Sequence, residues 1–305
     1  MTRHLDRREF IQLAGLATAG VAGVVFSSGL RGVSLAAAKG RGEDFMFLQM
    51  SDLHWGFTGP AVNPDAEGTL DKAIAHVNAL PNQPDFIVFT GDLTHTTDDD
   101  QERRKRLAHV RDAVGKLKVK TQRYLAGEHD AALDRAAAFK EFFGETQYTF
   151  DHKGVHFIVL DNVSDPRGKL GDDQIQWLRA DLGKLDKEAP IVVLTHRPLF
   201  DLAPDWDWAT ADGAAAIEAL MPYEYVTVFY GHIHQEHHQM TGHIPHHAAK
   251  GLMFPLPAPH SVPKKAPIPW DAANPYRGLG FRSVQSKAGG DDVALTEWPV
   301  IWWCS

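Results

Sequence analysis

The chain has 305 residues, 44% hydrophobic and 23% charged, with a formal net charge of −8. That composition suits one large globular domain or two small ones. The acidic balance excludes a general binder of nucleic-acid duplexes or anionic membranes, and the lone Cys304 excludes an internal disulfide and a thiolate zinc site.

Asp6-Arg7-Arg8-Glu9-Phe10-Ile11 resembles a twin-arginine export signal. A mildly apolar Gly/Ala-rich stretch from Leu13 to Val33 follows it, and Ala36-Ala37-Ala38 supplies small residues of the kind signal peptidase accepts. The domain division expected is therefore a signal peptide over 1–38 and a catalytic domain over 39–305. The other reading of the leader is a membrane anchor, but spanning helices usually carry a longer and richer apolar run. Cleavage would remove four basic and two acidic residues, taking the charge from −8 to −10. The chain would then be periplasmic or secreted, having met the twin-arginine export machinery folded, with no stable membrane insertion after cleavage.

Beyond the leader, Asp44–Met50 reads as a first strand, and Leu70, Ile74, Val77 and Leu80 give Gly68–Leu80 helical spacing. Phe86–Thr90 is a strand introduced by Pro84-Asp85, Asp99–Leu117 a charged helix, Thr121–Leu125 a strand and Ala131–Phe143 a helix. Tyr148–Asp151 and Val155–Leu160 form a hairpin closed at His152-Lys153-Gly154. Asp172–Leu185 and Ala209–Leu220 are helical, with strands over Ile191–Thr195 and Tyr225–Tyr230. Seven prolines between Pro255 and Pro275 predict an ordered surface loop. Phe281–Gln285 and Val293–Trp303 are candidate closing strands. This alternation, ending in antiparallel pieces, predicts α/β layers around a mixed sheet.

Short islands of Asp and His follow these apolar runs: Asp52-Leu53-His54, Gly91-Asp92, Gly127-Glu128-His129-Asp130, Thr195-His196 and Gly231-His232-Ile233-His234. In an open α/β sheet, ligands collect at the carboxyl ends of strands, so these side chains are expected to converge. Carboxylates and imidazoles without thiolates suit hard or borderline divalent metals.

The order D-x-H, G-D, G-N-H-D/E, H, G-H-x-H is the signature of the calcineurin-like metallophosphoesterases, and from Asp52 to His234 this sequence resembles that family. Asp161-Asn162, Gly168, Leu170 and Gln174-Ile175-Gln176-Trp177-Leu178 match the segment often found before the family's metal-binding histidine strand. The resemblance implies an α/β fold, a four-layer α/β/β/α sandwich of two mixed β-sheets flanked by helices. It implies two divalent or mixed-valence ions (Mn, Fe or Zn) and hydrolysis of a small phosphomonoester or phosphodiester by a metal-bridging hydroxide. Asp52, His54 and His234 would hold one metal and His196 and His232 the other, with Asp92 bridging both. His129 would stand near the leaving group as general acid, with Asp130 orienting its imidazole.

Two positions depart from the pattern. Glu128 replaces an amide ligand with a carboxylate, which either ligates the second metal or swings away and leaves that metal weakly bound. Arg197 stands where many members carry a second histidine. It either faces substrate phosphate with a bidentate guanidinium or is a solvated or salt-bridged arginine.

His237, His238, His243, His246 and His247 are read as hairpin positions lining the site mouth, the other reading being a secondary metal tract. His243, His246 and His95 are candidates to position substrate. Trp206 and Trp208 either stack on an aromatic leaving group or pack a loop onto the domain. The run Asp98-Asp99-Asp100 reads as a helix start. The rival function is a non-catalytic, metal-dependent binder of phosphorylated ligands. A β-lactamase-like zinc hydrolase would need an H-x-H-x-D-H cluster that the chain lacks.

Overall fold

The computed structural model describes residues 43–64, 66–287 and 293–300. The leader at 1–38, Cys304 and the distal end of the last expected strand lie outside the described residues.

A five-stranded sheet contains β1 (Phe45–Met50), β2 (Phe86–Thr90), β3 (Gln122–Leu125), β10 (Gly280–Ser286) and β11 (Val293–Pro299), in the order β11-β10-β1-β2-β3. A six-stranded sheet contains β4 (Tyr148–His152), β5 (Val155–Val159), β6 (Ile191–Leu194), β7 (Val226–Tyr230), β8 (His237–Thr241) and β9 (Ile244–Ala248), in the order β4-β5-β6-β7-β9-β8. Both sheets are mixed: β1, β2 and β3 run parallel, as do β5, β6, β7 and β9, while β4, β8, β10 and β11 pair antiparallel.

The strands β1, β2, β5, β6 and β7 are largely apolar on both faces because both faces are covered. Phe45, Phe47, Phe86, Val88, Phe157, Val192, Leu194 and Phe229 fill the space between the sheets. Phe47 stacks on Phe86 at 5.1 Å and meets Phe229 of the other sheet edge-on at 5.5 Å. Burying each such ring contributes on the order of 2–3 kcal/mol. The alternate residues Leu48, Met50, Ile87 and Phe89 face outward to α1 (Ala66–Ala79) and α2 (Asp100–Val114). On the far side Ile158, Ile191, Val193 and Val228 meet α5 (Asp172–Leu182) and α6 (Gly213–Leu220). This is the α/β/β/α sandwich.

Local signals place several boundaries. Asp99 caps α2, its Oδ1 accepting from Gln101 N and Glu102 N at 2.9 and 3.0 Å, so the acidic run is a helix start. The helix expected over Ala131–Phe143 is instead two pieces, α3 (Glu128–Ala131) and α4 (Ala137–Phe143). Arg135 and Ala136 between them take φ of 54° and 62°. Asp134 accounts for the break: its Oδ2 accepts from Ala138 N at 3.1 Å and from Arg103 Nη1 at 3.0 Å, a side-chain bond competing with helix continuation. No helix or strand occurs over 249–279, in keeping with its prolines. No described helix is long and apolar enough to cross a membrane.

Candidate metal centre

All five motifs sit just beyond strand ends, those strands run parallel within each sheet, and the side chains of both sheets converge at one edge of the sandwich. The backbone turns sharply there. Asp52, His54, Asp92, His232 and His234 have φ of 55°, 42°, 50°, 68° and 53°, a left-handed region that non-glycine residues rarely occupy. Such strain concentrates where surrounding structure holds functional groups. Gly127 is required by close approach, because a Cβ there would lie 2.0 Å from Asp92 Oδ1 and 2.2 Å from Asp92 N.

Two clusters of ligand atoms share Asp92. Asp52, His54, Asp92 and His234 form one, and Asp92, Glu128, His196 and His232 the other, with the ligand atoms of each within 4.8 Å of one another. Asp92 Oδ2 is 3.4 Å from His54 Nε2 and 3.4 Å from His196 Nε2. His54 Nε2 lies 3.0 Å from His234 Nε2, which is 3.4 Å from Asp52 Oδ1. Glu128 turns into the second cluster, with Oε2 2.8 Å from His196 Nε2 and Oε1 2.9 Å from His232 Nδ1.

The imidazoles are oriented by backbone carbonyls. His196 Nδ1 donates to Thr90 O at 2.7 Å, His234 Nδ1 to Phe254 O at 2.6 Å and His232 Nε2 to Asp207 O at 2.8 Å. A carbonyl only accepts, so each facing nitrogen carries the hydrogen and the other presents its lone pair to the cluster. Glu128 Oε2, His196 Nε2 and His232 Nδ1 are buried without a hydrogen bond of their own. Converging donor atoms left in this state fit a cation.

Charge balance points the same way. Burial pushes Asp52 up to about 8, with Asp92 and Glu128 adding to the rise and His196 opposing it. Burial holds His54 well below its ordinary value and His234 at about 3, so both stay neutral. His196 stands well above its ordinary value, because Asp92 and Glu128 outweigh burial. Protons and cations compete for these groups.

His129 stands beside the first cluster, its ring 4.8 Å from that of His54 and 4.5 Å from that of His95. Its Nδ1 is 2.6 Å from Thr96 Oγ1. Asp130 does not orient it, contrary to the sequence expectation. Asp130 is buried and accepts from Leu93 N, Thr94 N, Thr94 Oγ1 and Gly127 N at 2.8–3.0 Å, tying the loop after β2 to the loop after β3. Thr96 was missed because a threonine in Thr94-His95-Thr96-Thr97 carries no motif signal. His95 belongs with this group, its Nδ1 3.3 Å from His54 Nδ1.

Other expectations are corrected. The bidentate edge of Arg197 meets Asp207, at 2.5 and 2.7 Å, so the salt-bridged reading applies. Trp206 and Trp208 are buried with Val62, Tyr230, Ile233 and Met253, so they pack a loop and present no stacking face. The hairpin histidines do not line the site mouth. His243 donates to Tyr223 O, which precedes β7 and so lies at the opposite end of the sheet from His232. His246 and His247 are buried in β9 beside Val228 and Phe229. In β8, His237 bonds the Tyr230 hydroxyl and His238 pairs with His247. None of these five joins a cluster of three or more metal-ligating groups among the described residues.

Comparison with known proteins agrees with this geometry. A family model described as calcineurin-like phosphoesterase matches residues 45–236. A probable glycerophosphodiester phosphodiesterase from Arcobacter nitrofigilis is 27% identical over 161 residues, covering 50% of this chain and 57% of its own length. A cAMP/cGMP dual specificity phosphodiesterase from Mycobacterium tuberculosis is 28% identical over 214 residues, covering 66% of this chain and 65% of its own length. The chain thus spans a little over half to about two thirds of these relatives. A solved dimetal phosphatase from Danio rerio shares the fold, with a TM-score of 0.57 at 15% identity, covering 84% of this chain and all of that one. With a matched region that contains all five motifs and both ligand clusters, the chain belongs to the calcineurin-like phosphoesterases, a family of metal-dependent phosphoric ester hydrolases.

Proposed function

We propose that the chain hydrolyses small phosphodiesters at a dinuclear metal site, with His129 as proton donor to the leaving oxygen. The observation that carries this reading is Asp92 Oδ2 at 3.4 Å from an imidazole of each cluster, the position of a carboxylate shared by two cations. Asp52, His54 and His234 would hold one ion and Glu128, His196 and His232 the other, with Asp92 shared between them. Bound there, a pair of manganese, iron or zinc ions supplies Lewis acidity for the phosphate oxygens and a water nucleophile at neutral pH.

The chain's own groups do the rest. Thr96 at Nδ1 of His129 leaves Nε2 to hold the proton that the departing alkoxide takes up. Glu128, in place of a neutral amide, adds a negative charge to the second site and strengthens its hold on that ion. The preference for a diester rests on the two relatives, described as a glycerophosphodiester and a cyclic-nucleotide phosphodiesterase. The net charge of −8 favours small substrates over long polyanions. Arg7-Arg8 and Ala36-Ala37-Ala38 support export to the periplasm or beyond.

The test is a panel of aryl phosphates, aryl phosphodiesters and cyclic nucleotides, assayed with manganese, iron or zinc returned to metal-free protein. Diester turnover restored by metal, and in His129→Ala abolished on cyclic nucleotides but less affected on aryl esters, with metal content unchanged, supports the reading. Equal phosphate-ester binding in both proteins with turnover in neither supports the rival, a metal-dependent binder.

A further inference from the structure

The proline-rich stretch after β9 forms a wall of the metal centre. At its head Phe254 O accepts from His234 Nδ1, and Pro257 O accepts from Gln235 Nε2 at 2.6 Å. Farther along, Ile268 N donates to Pro255 O at 3.0 Å and Trp270 N to Pro60 O at 3.2 Å. The intervening segment therefore folds back on the head of the stretch. Lys265 lies in it, half-buried, its Nζ 5.9 Å from the centroid of the Trp208 ring. That contact holds the ammonium in place. No hydrogen bond or ion pair to a described residue engages it.

Trp208 follows Asp207, whose carbonyl accepts from His232 Nε2 at 2.8 Å, so the contact with the Trp208 ring sets the ammonium beside the second ligand cluster. Burial draws Lys265 below its ordinary value, while Glu128, Asp207 and Asp92 attract the charge and Arg197 repels it. Asp207 is already committed to Arg197. Glu128 and Asp92 belong to the ligand clusters, so cations bound there cancel their pull. The ammonium would then stand beside two cations with no anionic partner of its own, since Asp207 and Arg197 neutralise each other. An incoming anion would supply that partner, and the anion of the proposed reaction is a phosphate.

We propose that Lys265 is a substrate-binding residue, donating from Nζ to a non-bridging phosphate oxygen on the Glu128 side of the site. The proposal rests on the phosphoesterase reading above. It assigns substrate recognition to a loop outside every motif.

The test titrates inorganic phosphate into the metal-loaded full chain by calorimetry and measures kcat and KM on a diester. Lys265→Ala is expected to weaken phosphate binding about ten-fold and to raise KM by a similar factor, with kcat changed less. Lys265→Arg should recover most of the loss. Lys264→Ala, which removes a neighbouring exposed charge, should leave both values at wild type. Metal content should be equal in all four proteins. Phosphate binding by Lys265→Ala within two-fold of wild type would overturn the proposal, as would metal loss accounting for the weaker binding. Wild-type protein that binds phosphate but turns over no ester would remove the proposed activity, and the phosphate titration would still decide the role of Lys265.

Discussion

Thr96 Oγ1 lies 2.6 Å from His129 Nδ1, while Asp130, the residue next to His129, is spent on four loop contacts. The two residues should therefore fail in different ways. Thr96→Val is expected to lower kcat about ten-fold on esters of poor leaving groups, and far less on aryl esters that need no proton. Metal content should not change. Asp130→Asn should instead lower stability by on the order of 3 kcal/mol, because an amide has one acceptor oxygen where the carboxylate has two. Kinetics of the first variant and thermal unfolding of the second check this; the reverse pattern would restore Asp130 as the orienting group.

Glu128 sits 2.8 Å from His196 and 2.9 Å from His232, within the second ligand cluster. Glu128→Asn keeps an oxygen on a shorter arm and removes one charge. We expect it to retain metal, to need more metal for full occupancy of the second site, and to keep part of its activity. Metal titration of turnover measures this, and complete loss of both metal and activity would contradict it.

His246 predicts an acid limb in stability that is independent of the metals. Burial draws it from 6.5 down to about 4, and its Nε2 bonds Thr241 Oγ1. Between those values the unfolded chain binds the proton and the folded one does not. Its contribution is therefore complete above about pH 6.5 and is lost as pH falls toward 4, at about 1.4 kcal/mol per unit and roughly 3 kcal/mol in all. Comparing urea unfolding of wild type and His246→Leu across pH 4–7 isolates the term. Parallel curves would show that His246 does not carry it.

Much of the centre was legible in the sequence because its ligands follow strands with strong apolar patterns. Asp52, Asp92, His196 and His232 each lie within two residues of the end of β1, β2, β6 or β7. What completes those ligands was not legible. Thr90, Asp207 and Phe254 orient imidazoles through backbone carbonyls, which any residue possesses. The parallel addition of β9 to β7 was hidden too, since polar His246 and His247 lie in a buried strand, packed against Phe200 and against Phe229 of the neighbouring β7. Asp134 broke the helix expected over Ala131–Phe143.

The central claim is that Asp92 joins two cations, and the metal stoichiometry of Asp92→Ala tests it most directly. After loading with manganese, iron or zinc, elemental analysis should find two ions per wild-type chain and at most one in the variant. Two ions retained by Asp92→Ala, or none taken up by the wild type under any loading, would contradict the account.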